Sequence, residues 1–213
     1  DYAVTPLDGA SYQGSPGQAI SFQIKAFDTD PNSKVTLSAS GLPIGSSTFP
    51  NFGFTANPIN HIFSWTPNSQ QFGQYLINFI AQDNNGVQTS SSVSINISLK
   101  PRFDVPPTPA TGVHNTVVSP GTLIQYTVQA SDPDAKDVVQ IVAIEGKDMM
   151  GNKIPIYIGA SLSSLPTKAS NPTSGIFSWT PTKAQWGHRH VYFTARDSYG
   201  DEQVHEVYQL VNT

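Results

Sequence analysis

The chain has 213 residues, only 12% of them charged, and its net charge at pH 7 is −4. This balance provides no basic surface for a nucleic acid, and the absence of cysteine excludes disulfides, thiolate metal sites and cysteine nucleophiles. No stretch is long and apolar enough to cross a bilayer, and 16 glycines and 17 prolines indicate many turns between short strands.

Short segments with alternating apolar and polar residues follow one another through the first half of the chain. The clearest is 19–26, in which Ile20, Phe22 and Ile24 share one face, as expected of a half-buried strand. Further strands are predicted at 35–39, 62–65, 75–81 and 93–99. Turn clusters separate them, and no segment has a helical period. This pattern predicts an all-β fold, a β-sandwich of the immunoglobulin-like type.

One specific string occurs twice. Phe-Ser-Trp-Thr-Pro begins at Phe63 and again 114 residues later at Phe177, and each copy is followed at the same spacing by Gln, an aromatic residue and Gly. Two copies of so specific a string imply two copies of one domain. An aromatic residue and a tryptophan two positions apart point to the same face of a strand. We therefore predict that Trp65 and Trp179 fill the cores rather than form exposed platforms for a sugar.

The repeat divides the chain into two tandem domains. The first is predicted at 1–100 and the second at 110–213, with an inserted loop near 145–165 that the first domain lacks. Four prolines in 101–109 predict an extended and fairly stiff linker. Because the chain starts and stops abruptly, we expect it to be a piece of a longer polypeptide with neighbouring domains.

The order of the motifs resembles a known family. Ala-x-Asp-x-Asp-Pro after a strand, then Gly-Leu-Pro, the tryptophan string and Ala-x-Asp-x-x-Gly are similar to bacterial cadherin-like repeats, of the dystroglycan or immunoglobulin-like type, in large surface and secreted proteins. The motifs of the first domain begin at Ala26, Gly41, Phe63 and Ala81. The second domain lacks Gly-Leu-Pro and has Arg189 where the first has Tyr75. The resemblance implies two immunoglobulin/cadherin-like β-sandwiches, outside the cell, that serve as adhesive arms, spacers or accessory domains.

Three aspartates of each domain fall in loops that this fold brings to one pole, because the second and sixth strands run in the same direction. They are Asp28, Asp30 and Asp83 in the first domain and Asp132, Asp134 and Asp197 in the second, with Asp137 as a further acid. Converging carboxylates repel one another unless a cation lies between them, and oxygen ligands on loops suit Ca²⁺. The sequence predicts one calcium ion per domain, or one at the joint. The alternative is that these acids only cap backbone amides in turns.

The linker contributes only one acid, Asp104, so a joint with several calcium ions, as in related cadherins, is not expected. A zinc trio of His188, His190 and His205 is not expected either, because the first domain has no ligands at the equivalent positions. No nucleophile elbow, carboxylate pair in a cleft or phosphate-binding loop favours catalysis by this chain.

The leading hypothesis is a non-catalytic, calcium-stabilised structural and adhesive segment of a long cell-surface or secreted bacterial protein. The second is a module that binds a carbohydrate or a protein ligand, through the inserted loop and exposed rings such as Tyr157 or Tyr199. The third is an accessory region of a secreted enzyme. The ligand that such a surface would bind is not predicted by the sequence.

Overall fold

The computed structural model describes residues 5–47, 56–112, 114–147, 150, 152–154 and 159–212. The chain forms two compact units, Asp1–Leu99 and Lys100–Thr213, here called unit 1 and unit 2. In the described ranges the regular structure consists of strands and one short 3-10 helix, Lys183–Gln185. This confirms the predicted all-β fold with two tandem sandwiches.

Unit 1 contains six strands in its described part. They are β1 (Ala10–Gly14), β2 (Ile20–Ala26), β3 (Val35–Ser40), β4 (Ile59–Trp65), β5 (Gly73–Asp83) and β6 (Gln88–Ile97). One sheet has the order β1-β6-β5-β3, and the second pairs β2 with β4. β1 runs parallel to β6, whereas the other neighbours are antiparallel. The apolar faces of the two sheets enclose the core.

Unit 2 repeats this arrangement with additional short strands. Its strands are β7 (Arg102–Phe103), β8 (His114–Val118), β9 (Ile124–Ser131), β10 (Val139–Lys147), β11 (Lys153–Ile154), β12 (Ser161–Leu162), β13 (Thr173–Trp179), β14 (Gly187–Asp197) and β15 (Glu202–Val211). The two sheets have the orders β11-β10-β14-β15-β8 and β12-β13-β9-β7. The six strands of unit 1 therefore correspond, in order, to β8, β9, β10, β13, β14 and β15.

The repeated aromatic string fills the core of each unit, as predicted. The buried members are Phe63, Trp65, Phe177 and Trp179. In unit 1 the ring of Phe22 stacks on Phe63 with centroids 4.8 Å apart. In unit 2 the rings of Tyr126 and Phe177 stack at the same distance. The string is thus a packing motif that joins β4 to β2, and β13 to β9.

The proline-rich segment predicted as a linker contributes to unit 2. Arg102–Phe103 pair antiparallel with Ser131 and Ala130 at the end of β9. Thr108 Oγ1 accepts a hydrogen bond from Gln129 N (2.8 Å) and donates one to Gln129 O (2.9 Å). The prolines flank this short strand but leave its own amides able to pair, so the segment is ordered against β9 and is not an independent spacer.

The insertion in unit 2 begins where β3 ends in unit 1. Gly41 has a φ of +76°, and a Cβ at this position would lie 2.3 Å from the carbonyl oxygen of Leu76, so only glycine fits. Because the register of β10 shifts between Ile141 and Ala143, the equivalent residue in unit 2 is Gly146, after which β10 continues to Lys147 and pairs with β11. Tyr157 and the rest of 155–158 lie outside the described residues.

Candidate metal site

Three strand ends of unit 2 place acidic side chains at one pole of the sandwich. Asp132 directly follows β9, Asp137 lies two residues before β10, and Asp197 is the last residue of β14. β10 is antiparallel to β14 with Val139 opposite Asp197, so the start of β10 lies beside the end of β14. The site therefore joins loops from both sheets.

The three carboxylates form a close, buried cluster. One oxygen of each lies within 4.8 Å of the others. The exposed fractions of Asp132, Asp137 and Asp197 are 6%, 3% and 6%. Aspartate is rarely buried to this extent unless its charge is paired or it coordinates a metal. We call these three residues the aspartate trio.

One oxygen of each carboxylate is held by backbone amides of its own loop. The donors are Asp134 N to Asp132 Oδ1 at 2.7 Å, Val138 N to Asp137 Oδ1 at 2.8 Å, and Tyr199 N and Asp201 N to Asp197 Oδ1 at 2.9 and 2.8 Å. The Ser198 hydroxyl also donates to Asp137 Oδ1. These bonds fix the orientation of the acids before any ligand binds.

The second oxygens of two acids are left for a ligand. Asp132 Oδ2 and Asp137 Oδ2 are buried and have no hydrogen-bond partner. A buried carboxylate oxygen without a partner loses its hydration without compensation, which is costly for a charged group. Turn capping alone therefore accounts for only one side of each of these carboxylates.

The electrostatics of the trio oppose full ionisation. Burial raises the pKa of Asp132 to about 6, and the charges of Asp137 and Asp197 add to the shift. Burial also raises the pKa of Asp197, again with a contribution from Asp137. At an effective dielectric constant near 20, two unit charges 4.8 Å apart repel by about 3 kcal/mol. The shift of about two pKa units at Asp132 itself corresponds to about 3 kcal/mol, a large share of the net stability of a domain.

The structure gathers two of the three acids that the sequence predicts for unit 2. Asp132 and Asp197 belong to the trio, but Asp134 does not. The Oδ1 atom of Asp134 accepts a hydrogen bond from Lys136 N at 3.0 Å, so this side chain caps a turn. Asp137, which the sequence offers only as a further acid, supplies the third carboxylate.

Unit 1 has two of these acids at the equivalent place. Asp28 and Asp83 line one cavity of about 110 Å³. Asp30 is exposed and its Oδ1 accepts a hydrogen bond from Asn32 N at 2.9 Å, as expected of a turn cap. The position of Asp137 is taken by Ser33, which is 6% exposed. Its amide bonds to Asp30 O at 3.0 Å, just as the amide of Asp137 bonds to Asp134 O.

An asparagine that the sequence reasoning missed clamps each acidic loop. In unit 2, Asn171 Oδ1 accepts a hydrogen bond from Asp132 N (3.1 Å), and its Nδ2 donates to Asp132 O and Asp134 O (both 3.0 Å). Asn57 makes the same three bonds to Asp28 and Asp30 in unit 1. The signal is an Asn-Pro pair that recurs 114 residues apart, the spacing of the tryptophan string.

The three histidines considered for zinc do not gather. Nδ1 of His190 lies 3.0 Å from Glu206 Oε1, and Nε2 of His205 lies 2.7 Å from Pro109 O. Among the described residues, the aspartate trio is the one group of three side chains whose ligand atoms approach closely enough for a metal ion.

Comparison with protein families concerns unit 1. Residues 3–98 match the family described as "Putative Ig domain". The chain contains an immunoglobulin-like domain. Unit 2 has the same strand arrangement, as described above. The family match does not distinguish the cadherin-like type from other immunoglobulin-like domains, so the cadherin-like type stays a prediction. A search of curated protein sequences finds no match.

Among solved structures, the chain is similar to several that it covers almost completely. Rst D1-D2 is 12% identical, with 100% of this chain and 99% of that chain covered and a TM-score of 0.49. A titin fragment is 12% identical, with 97% of each chain covered and a TM-score of 0.37.

The chain is also similar to part of an endo-fucoidan hydrolase, MfFcnA4, from glycoside hydrolase family 107. The identity is 12%, the TM-score is 0.33, and the match covers 96% of this chain and 28% of that one. At such values none of these likenesses carries an inference about activity or partners. In the part of the chain that the structure describes, no helix has the length and hydropathy of a membrane span.

Proposed function

We propose that the chain is a non-catalytic structural and adhesive segment of an extracellular protein, in which a calcium ion bound by Asp132, Asp137 and Asp197 stabilises unit 2. The observation that carries the calcium site is the pair of buried, partnerless oxygens, Asp132 Oδ2 and Asp137 Oδ2. They belong to a trio whose mutual repulsion a cation would relieve. The immunoglobulin-like domain and the resemblance to surface-protein repeats support the extracellular role.

The donor set fits calcium better than other common metals. All three ligands are carboxylates, and hard oxygen ligands suit Ca²⁺, Mg²⁺ or Mn²⁺, whereas zinc and copper favour histidine and cysteine. Calcium accepts irregular arrangements of six to eight oxygens, including carbonyls and water, whereas Mg²⁺ demands near-octahedral geometry. The trio lies on loops from different strands, which favours the more tolerant ion.

An ion at this position would act as a clamp between the two sheets. Asp132 follows β9 of one sheet, and Asp137 and Asp197 flank the β10–β14 pair of the other. Binding the folded state alone stabilises a protein in proportion to the logarithm of ligand concentration, by about 2.7 kcal/mol at a hundredfold excess over Kd. For a domain of this size that corresponds to a rise in Tm of roughly 10 °C. A segment under mechanical or proteolytic stress outside the cell gains from such a clamp.

Calcium titration followed by calorimetry tests the proposal. The full chain should bind one equivalent of Ca²⁺ after treatment with EDTA, and its unit 2 transition should move to higher temperature. Asp137→Ser, which copies Ser33 of unit 1, should abolish both effects. Asp83→Asn in unit 1 serves as the matched control and should change neither. Absence of binding at millimolar calcium, or equal binding by Asp137→Ser, would refute the calcium site.

A second candidate function, carbohydrate binding, is favoured by a polar cluster on the outward face of the five-stranded sheet of unit 2. The hydroxyls of Tyr192 and Tyr208 donate to the carboxylate of Glu206, and His190 Nδ1 lies beside it. Burial, followed by the hydrogen bond to Glu206, raises the pKa of Tyr192 to about 12, so its hydroxyl keeps its proton. The Lys147 ammonium lies 4.2 Å from the centre of the Tyr192 ring.

Burial alone would raise the pKa of Glu206, but the hydrogen bonds from its neighbours outweigh this effect and lower it, so Glu206 is charged at pH 7. Small-molecule sites combine aromatic side chains with a few placed polar or charged groups. Here the carboxylate could accept a hydrogen bond from a sugar hydroxyl and the rings could contact a sugar face. A glycan array tests this candidate. Binding that is lost in Glu206→Gln and kept in Asp137→Ser would establish it, and an array without reproducible signals would remove it.

A further inference from the structure

The hairpin turn between β5 and β6 of unit 1 contains the one Asn-Gly pair in the sequence, Asn85-Gly86. The amide of Val87 donates to Asp83 Oδ1 at 2.7 Å, and the amide of Asp83 donates to Val87 O at 3.0 Å, so these two residues close the turn. Both Asn85 and Gly86 are exposed. Solvent therefore reaches the side-chain amide of Asn85 and the backbone that follows it.

The turn requires a glycine at position 86 but no asparagine at position 85. Gly86 has a φ of +89° and its equivalent in unit 2, Gly200, has a φ of +91°, values that favour glycine. The backbone amide of Asn85 donates to the carboxylate that begins the turn at 2.9 Å. The amide of Tyr199 makes the same bond at the same distance in unit 2. The hairpin thus closes in both units, with or without an asparagine side chain.

The arrangement leaves the Gly86 nitrogen accessible to the side chain before it. The backbone nitrogen that follows an asparagine can attack the side-chain carbonyl carbon, which makes asparagine a thermolabile residue. Glycine has no Cβ to shield that nitrogen. Among the described residues other than its chain neighbours, a Cβ built on Gly86 would meet only Gln82 Nε2, at 4.0 Å. The space around the attacking nitrogen is therefore open.

We propose that Asn85 is a site of spontaneous deamidation, through which the hairpin turn of unit 1 loses ammonia and gains a carboxylate. The Gly86 nitrogen gives up its proton to solvent and forms a bond to Asn85 Cγ. The bond from Cγ to Nδ2 then breaks, and ammonia leaves with a proton from solvent. Water opens the resulting succinimide ring at either carbonyl, which yields aspartate or isoaspartate. One water molecule is consumed, one ammonia is released, and no atom is oxidised or reduced.

Two similar residues of unit 1 are restrained by their contacts. Asn84 lies in the same turn, but its Oδ1 accepts a hydrogen bond from Lys34 N at 3.0 Å, and the residue that follows it is not a glycine. Asp8 does precede a glycine. Its carboxylate accepts hydrogen bonds from Ser92 N at 2.7 Å and from the Ser92 hydroxyl at 3.0 Å, and these bonds lower the pKa of Asp8. The ionised carboxylate resists attack, so the reaction is expected at Asn85.

The product should loosen the turn. Asn85 Nδ2 donates a hydrogen bond to Asp83 Oδ2 at 3.4 Å. A carboxylate in place of this amide brings two like charges together, and isoaspartate also adds a methylene group to the backbone of the turn. The bonds between Asp83 and Val87 should then open more often. Unit 2 has Tyr199 at this place and cannot follow the same route. The proposal does not depend on calcium, because it concerns the turn of unit 1.

Peptide mass spectrometry tests the proposal on the full chain. The protein is incubated at neutral pH in buffer and, in parallel, in urea that unfolds it. Fragmentation assigns each gain of one mass unit to Asn84 or Asn85. In the folded chain Asn85 should react no more than about tenfold more slowly than in urea, a factor that corresponds to about 1.4 kcal/mol. Asn85→Tyr, which copies Tyr199 of unit 2, is the matched control and should show no gain in this turn.

Each outcome decides the matter. Conversion of Asn85 in the folded chain supports the proposal. Slowing by more than about tenfold relative to urea overturns it, because the turn would then protect the asparagine. Faster conversion of Asn84 than of Asn85 also overturns it. Asn85→Asp supplies the carboxylate without the reaction, and the Val87 amide of this variant should exchange with solvent faster than in the parent protein. Equal exchange in both would refute the loosening of the turn.

Discussion

Replacing Asp132 by asparagine tests the electrostatics of the trio. Asparagine keeps a carbonyl oxygen for Asp134 N but removes one of the three charges. Burial, with a further contribution from neighbouring charges, raises the pKa of Asp132 from 3.8 to about 6, so the metal-free folded state binds its proton more tightly than the unfolded chain does. The stability of metal-free unit 2 must therefore fall as the pH rises from about 4 to about 6.

The size of the stabilisation by Asp132→Asn follows from the pKa shift of Asp132. About two pKa units correspond to about 3 kcal/mol, so Asp132→Asn should raise the free energy of unfolding of the metal-free protein by up to about 3 kcal/mol at pH 7. Below about pH 4, where the acid is protonated in both states, the variant and the parent protein should be alike. Excess calcium should reverse the sign at pH 7, because the parent protein gains the ion and the variant has lost one charged ligand.

Differential scanning calorimetry at pH 4, 5, 6 and 7 compares the stability of Asp132→Asn with that of the parent protein. One series in EDTA and one in millimolar calcium test the predicted gain and the predicted loss of stability. Asp28→Asn, the same change at the half-exposed equivalent in unit 1, is the control and should have little effect. An Asp132→Asn protein that is less stable than its parent in EDTA at pH 7 would refute the reasoning, because the trio would then tolerate three charges without a cation.

Three further changes probe the differences between the units. Ser33→Asp adds a third carboxylate near Asp28 and Asp83, and isothermal titration should then find two equivalents of calcium; an unchanged stoichiometry contradicts the role of this position. Asn171→Ala removes three hydrogen bonds and should lower the free energy of unfolding by about 1–3 kcal/mol in urea titrations, with weaker calcium binding. Phe103→Ala should cost about 2–4 kcal/mol, and added benzene should restore part of the lost Tm; no response to benzene would mean that the site collapses.

Alternation and turn residues were sufficient to predict most strands. The segment 19–26 was predicted as a strand, and β2 covers Ile20–Ala26 because one face is buried and the other is not. β5, predicted at 75–81, extends over Gly73–Asp83, since backbone pairing with β6 continues beyond the last buried side chain. The core role of Trp65 followed from its place in the repeated string.

The third carboxylate was harder to find because no local pattern contains it. Asp134 fits the Asp-x-Asp spacing of the resemblance, but its side chain points back to the amide of Lys136. Asp137 reaches the site only because the start of β10 pairs with the end of β14, a contact between residues that are far apart in sequence. Likewise, the four prolines of 101–109 indicated a linker, so the pairing of Arg102–Phe103 with β9 was not predicted. Aligning the two halves would have exposed the asparagine clamp but not these tertiary contacts.

The same scaffold thus leads to different requirements for a counterion in the two units. Unit 1 has two acids, both half-exposed, and the surrounding water limits the repulsion between such a pair to about 1 kcal/mol. Unit 2 has three acids with buried oxygens, and ionising Asp132 alone costs about 3 kcal/mol, a large share of a net domain stability of about 5–15 kcal/mol. At pH 7, above the pKa of about 6, metal-free unit 2 carries the whole cost of ionising Asp132, and a cation would relieve it. The pair in unit 1 has no comparable need for a cation. Removal of calcium should consequently destabilise unit 2 and leave unit 1 unchanged, so that unfolding in EDTA separates into two transitions in which unit 2 is the first to melt.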